Sequence, residues 1–105
     1  MEPVERFISI EQARNAAVAW LESRNVVFGP YRKVEIGRLG VLAGHEVGVS
    51  AAEKPYWRLR LDFDPIKGPH FNAETGEGAK REKQAFSFPG DEALIKKLAL
   101  SRRPR

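Results

Sequence analysis

Residues 56–74 read Tyr56-Trp57-Arg58-Leu59-Arg60-Leu61-Asp62-Phe63-Asp64-Pro65-Ile66-Lys67-Gly68-Pro69-His70-Phe71-Asn72-Ala73-Glu74. The first half alternates. Trp57, Leu59, Leu61 and Phe63 fall on one side; Tyr56, Arg58, Arg60 and Asp62 fall on the other. A period of two marks a half-buried strand, because successive side chains leave opposite faces. Asp64-Pro65-Ile66-Lys67-Gly68-Pro69 then breaks the strand. Proline brings no amide hydrogen to a ladder, and glycine supplies backbone angles that other residues avoid. Beyond the break His70, Asn72 and Glu74 share one face, with Phe71 and Ala73 on the other. Neighbours on the polar face stand roughly 6.6 Å apart, twice the rise per residue. The stretch is expected to be a hairpin that presents Arg58, Arg60, Lys67, His70, Asn72 and Glu74 around one turn.

Upstream, residues 1–8 show no clear period. Ser9-Ile10-Glu11-Gln12 has the form of a capping box, in which the Ser9 hydroxyl takes the Gln12 amide and Gln12 reaches back. A helix over 9–23 follows, with Ile10, Ala13, Ala17, Trp20 and Leu21 on its apolar stripe. Val26-Val27-Phe28 leads into a turn at Gly29-Pro30, and Tyr31 to Ile36 reads as a strand. Gly37, Gly40, Gly44 and Gly48 punctuate residues 37–50. They carry no lysine-bearing phosphate-loop pattern and are read as turns and bulges of a sheet. Val47 and Val49 mark a strand through His45 and Glu46.

Downstream, Thr75 to Arg81 is read as a flexible basic loop. Lys83 to Phe88 alternates again and ends at Pro89-Gly90. Asp91 can cap a last helix over 91–100 that turns Leu94, Leu98 and Ile95 inward. The result is one α+β domain over residues 1–105. Two helices cover one face of a sheet of about four antiparallel strands, within residues 31–88, and the other face is free for a site. Trp20, Trp57, Leu59, Leu61, Phe63, Phe86, Leu94 and Leu98 are the expected core.

A chain of 105 residues suits a single domain. It has no cysteine, which excludes disulfides, thiolate zinc sites and cysteine nucleophiles. No apolar run approaches a transmembrane span, and Met1-Glu2-Pro3 does not open a signal peptide. The net charge of +4 is unevenly placed. Residues 75–105 hold eight basic and four acidic side chains, against three and four in residues 1–30 and seven and six in residues 31–74. Basic excess favours polyanions through counterion release.

The pattern Trp57-Arg58-x-x-x-Asp62-Phe63-Asp64-Pro65-x-Lys67-Gly68-Pro69-His70-x-Asn72 resembles a segment of C-terminal toxin domains in bacterial polymorphic toxin systems, among them contact-dependent inhibition and RHS-repeat proteins. The order of helix, glycine-rich middle, this segment, a phenylalanine-bearing strand and a closing helix is similar across the whole chain. The resemblance implies a ribonuclease-like effector, secreted or delivered to the cytoplasm of a target cell, with a cognate immunity protein of acidic surface; a chain outside that family would be cytoplasmic. At the level of fold, the element order is similar to the barnase, colicin D and RelE group of ribonucleases, which work without a metal.

Cleavage of RNA through its 2′-hydroxyl needs a base, an acid and cations that stabilise phosphorane charge. Histidine can do either proton job at neutral pH. Only His45 and His70 are present. His70 is the first candidate, with Lys67 beside it; Glu74 is a second proton-transfer group and His45 an alternative. Arg58 and Arg60 can hold phosphate, Arg by a two-pronged fork. Asn72 can orient His70 or the substrate. Lys80, Arg81 and Lys83 add a basic surface for RNA. No metal or other cofactor is expected, since Asp62 suits a partner arginine and Asp64 a turn. The same residues also fit two other readings: a DNase or other toxin chemistry on this scaffold, and a non-catalytic module binding nucleic acid or protein.

Overall fold

The computed structural model describes residues 4–29, 32–38 and 40–101. Its elements are β1 (Val4–Arg6), α1 (Ile10–Glu22), β2 (Arg32–Ile36), a 3-10 turn at Gly40–Leu42, β3 (Glu46–Ala51), β4 (Trp57–Asp64), β5 (Gly68–Thr75), a second 3-10 turn at Gly78–Lys80, β6 (Glu82–Ser87) and α2 (Glu92–Ser101). The strands form one six-stranded sheet in the order β1-β6-β5-β4-β3-β2. The expectation of about four antiparallel strands is therefore corrected. The likeness to the barnase, colicin D and RelE group was drawn from that four-stranded order and falls with it.

The strand that the sequence does not mark is β1: three exposed residues with no period, paired with β6 in parallel, Val4 beside Ala85 and Arg6 beside Ser87. β3, the strand expected at Val47 and Val49, pairs with both β2 and β4. Gly48 is there because the strands need it. A Cβ at that position would stand 2.0 Å from the Leu59 carbonyl oxygen. Tyr31, the Arg102–Arg105 tail and Met1 lie outside the described residues.

The expected hairpin is formed by β4 and β5, paired antiparallel. Leu61 stands opposite Phe71, Asp62 opposite His70 and Arg60 opposite Asn72. Phe71 in turn stands opposite Phe86. Alternation therefore builds one apolar face across three strands. Helix α1 lays Ala13, Ala17 and Leu21 on it, all three fully buried. Small residues at 13 and 17 let the helix come close. Trp20 meets the Phe86 ring edge-on at 6.3 Å, and Phe7 stacks on it at 6.1 Å.

Caps fix both helix starts. Ser9 Oγ accepts the Gln12 amide at 3.2 Å, and Gln12 Oε1 reaches the Ile8 amide at 3.4 Å, one residue further back than a capping box places it. Asp91 Oδ1 accepts the Leu94 amide at 3.0 Å. Helix α2 packs against the turn at Gly40–Leu42 and against β5, and its Ile95 is fully buried. Among the described residues no helix is long and apolar enough to cross a membrane.

Of the expected core, Trp57, Leu61 and Phe86 are buried; Trp20, Leu59, Phe63, Leu94 and Leu98 are only partly buried against it. Phe71, Phe88, Val47, Leu42 and Ile95 complete it. Leu61 has no exposure and packs at the centre. Its truncation to Ala should cost roughly 2–5 kcal/mol. Urea unfolding of wild type and L61A, at equal slope, checks this; an unchanged midpoint would put the inward face elsewhere.

Candidate functional site

The β4–β5 turn is built by one carboxylate. Asp64 Oδ1 accepts the backbone amides of Ile66 at 2.9 Å and Lys67 at 2.6 Å. Gly68 follows in the left-handed region, φ 68°, which glycine adopts without a steric cost. Burial pushes the Asp64 carboxyl up, but the two amides and the His70 and Lys67 charges outweigh it, and the net effect holds it below its ordinary value.

This turn sets His70. Its ring Nδ1 lies 2.8 Å from the Gly68 carbonyl oxygen. A carbonyl only accepts, so Nδ1 carries the hydrogen and Nε2 is the basic nitrogen of the neutral ring. Nε2 lies 3.3 Å from Asn72 Nδ2, which also donates to Asp62 Oδ2 at 2.6 Å. Asp62 Oδ1 is 3.3 Å from Arg60. Asp62, His70, Arg60 and Asn72 thus belong to two rungs of the polar face, on either side of the inward Leu61–Phe71 rung, and are joined by side-chain bonds across and along the strands. Asn72 Oδ1 and Arg60 Nε are buried with no hydrogen-bond partner.

The rungs form one wall of a cleft of about 330 Å³. Arg38, on the β2–β3 connection, and Lys67, on the turn, also line it. Three cations and the carboxylates of Asp62 and Asp64 therefore surround His70. Arg38 was not singled out in the sequence, because its glycine-punctuated segment has no period to place it. Among the described residues, no three His, Cys, Asp or Glu side chains converge to hold a metal ion.

The remaining candidates are elsewhere. Glu74 sits four residues beyond His70 on β5, about 13 Å along the strand. It cannot share a proton with the cleft. It anchors a second cluster on the same face. Arg58 bonds its Oε2 at 2.9 Å, Arg81 its Oε1, and Lys83 approaches Oε2 at 3.9 Å. The expectation of six groups around one turn is corrected to two separate groups. Glu35, on β2, lies between them. It is 3.8 Å from Arg58 and 3.7 Å from Arg60, and accepts from Ser50 Oγ at 2.9 Å. Tyr56 borders this cluster, and burial chiefly pushes its phenol up. Lys80 is exposed on the second 3-10 turn, at the opposite end of β5 from His70. The segment around it is not the loose loop expected, since Arg81 is tied to Glu74. His45 serves the β2–β3 connection through its backbone, donating to Leu42 and accepting from Gly37; it does not line the cleft.

Compared with known proteins, the chain matches no family model and no curated protein.

Asp64 gives a pH test. A carboxyl held below its ordinary value contributes stability that is present above the unfolded Asp range and is lost as pH falls through the folded value. Asp64→Ala should destabilise by about 1 kcal/mol at neutral pH, for loss of the turn's two bonds. The gap between wild type and D64A should close below about pH 4, where the unfolded carboxyl takes its proton. Thermal midpoints across that range check it; a gap independent of pH would remove Asp64 from the turn's electrostatics.

Proposed function

We propose that the cleft cleaves RNA without a metal, by attack of a 2′-hydroxyl on the adjacent phosphate. One observation carries the reading: His70 has Nδ1 fixed on a backbone carbonyl, which leaves Nε2 as its basic nitrogen, and it lines a cleft together with Arg38, Arg60 and Lys67. Nε2 takes the 2′-hydroxyl proton. The 2′-oxygen bonds phosphorus, the bond from phosphorus to the 5′-oxygen breaks, and the leaving oxygen takes a proton from water at the cleft mouth. The three cations stabilise the added negative charge on the phosphorane.

His70 is 2% exposed. For a hydroxyl to reach Nε2, Asn72 must give up its 3.3 Å contact. That contact is long for a hydrogen bond and easily exchanged. Asn72 thus orients the ring at rest, and Asp62 and Arg60 orient Asn72. On this reading the chain is a toxin or effector domain of the polymorphic kind, and the partner that silences it presents an acidic surface to Arg38, Arg60 and Lys67.

The test is cleavage of total RNA, with and without EDTA, by wild type and two variants. Cleavage should resist EDTA. Replacing His70 with Ala should slow it roughly 10²–10⁴-fold, the worth of an acid–base group, and should remove a limb of the pH–rate profile. His70 is buried, so His70→Asn serves as the control for folding: its amide can still donate to Gly68 but cannot exchange a proton. It should melt near wild type and be equally inactive. Full activity in a folded H70N protein would overturn the assignment, and RNA binding without cleavage by the wild type would favour the binding module.

A further inference from the structure

The second cluster has a composition that a purely structural ion pair does not require. Three cations, Arg58, Arg81 and Lys83, converge on the single carboxylate of Glu74. Glu74 is 2% exposed, whereas Arg81 and Lys83 are 51% and 46% exposed. One charge is therefore buried, and even with Glu35, 3.8 Å from Arg58, counted beside Glu74 the cluster keeps an excess of one positive charge. The register places Arg58, Glu74 and Lys83 on the face that carries His70, Arg58 opposite Glu74 and Glu74 opposite Lys83, and Arg81 joins them through its bond to Glu74. Arg58 and Lys83 come from the strands on either side of β5, so their Cα positions lie roughly 10 Å apart across the sheet. Glu74 lies between them and holds the inner ends of three long side chains. Its oxygens engage only part of each fork. A guanidinium has five donors and an ammonium three, so outward donors remain for an incoming anion.

Resting on the ribonuclease reading, we infer that Arg58, Arg81 and Lys83, organised by Glu74, form a second phosphate subsite for the RNA strand that enters the His70 cleft. Glu74 and His70 are about 13 Å apart along β5, too far for one phosphate to touch both groups. The subsite therefore takes a different phosphate of the same strand, and the substrate is a single-stranded oligonucleotide rather than a dinucleotide. Glu74 is a positioning residue here, not a proton-transfer group. Glu35 connects the two sites by touching Arg58 and Arg60.

The experiment compares a dinucleotide with a hexanucleotide, both single-stranded RNA, so that phosphates are present on either side of the scissile one. Cleavage is measured as kcat/KM, and binding by fluorescence anisotropy on the H70N protein. The test variant carries Arg81→Gln and Lys83→Gln together. It keeps the Arg58–Glu74 bond, so the buried carboxylate is not stranded, and its thermal midpoint reports whether the fold is kept. Wild type should prefer the hexanucleotide by about tenfold or more, the effect of one charge-assisted hydrogen bond. In the double variant that preference should collapse towards one in both readouts. A wild-type preference near one, or a preference unchanged in the folded double variant, overturns the subsite while leaving cleavage standing. A preference in binding that depends on Arg81 and Lys83, without cleavage of either oligonucleotide, keeps the subsite and overturns the ribonuclease reading. Absence of both binding and cleavage overturns both.

Discussion

The pairing of β4 with β5 is the constraint on which the molecule depends. Leu61 opposite Phe71 and Asp62 opposite His70 are consecutive rungs of one ladder. The first belongs to the core and the second to the cleft. Because the side-chain period is two, a slip of one residue would send every member to the wrong face at once. Core and site therefore cannot drift independently. The burial of Leu61, Phe71 and Phe86 under α1 holds the register, and the turn at Asp64 ends it at a fixed residue. The polar groups inherit positions that the apolar ones stabilise.

How much of this was legible in the sequence follows from which signals are local. The hairpin, the two caps and the Asp64 turn are short-range patterns of period, cap and breaker, and the chain states each within a few residues. What failed to show was pairing between distant segments. β1 has no period because it is an exposed edge, and only the outer edge of β6 gives Val4–Arg6 a reason to be extended. β3 is marked in the sequence only by Val47 and Val49, since Gly48 between them serves its closeness to β4 and not a strand propensity. The site was half legible for a related reason. The alternation correctly put Arg58, Arg60, His70, Asn72 and Glu74 on one face. It carried no information on distance along the strand beyond a count of residues, and that count separates Glu74 from His70. Arg38 enters the cleft from a connection whose path only tertiary packing decides.

Glu35 links the two charged groups of the polar face. Glu35 stands near both Arg58 and Arg60, and Gly48 occupies the position between Glu35 and Arg60 on the intervening strand. A side chain at 48 would stand in the way of that reach. The contacts of Arg60, 3.7 Å to Glu35 and 3.3 Å to Asp62, are long beside the 2.9 Å between Arg58 and Glu74. Arg60, although the more buried of the two arginines, is therefore held less closely by its carboxylates than Arg58, whose guanidinium is drawn tightly onto Glu74.

The short parallel strand at the start of the fold has a further consequence. A sheet of five strands ending at β6 would present a row of unpaired amides and carbonyls, and such an edge is a template on which another chain can add. β1 covers it with Val4, Glu5 and Arg6, two of them charged, and the Phe7 amide extends the contact to Ser87 at 2.8 Å. Three residues are too short to offer a good template in their own right, and charge makes them a worse one. The guarding of this edge is thus lodged in a segment that contributes almost nothing to the core and is shaped by what it covers rather than by what it packs against.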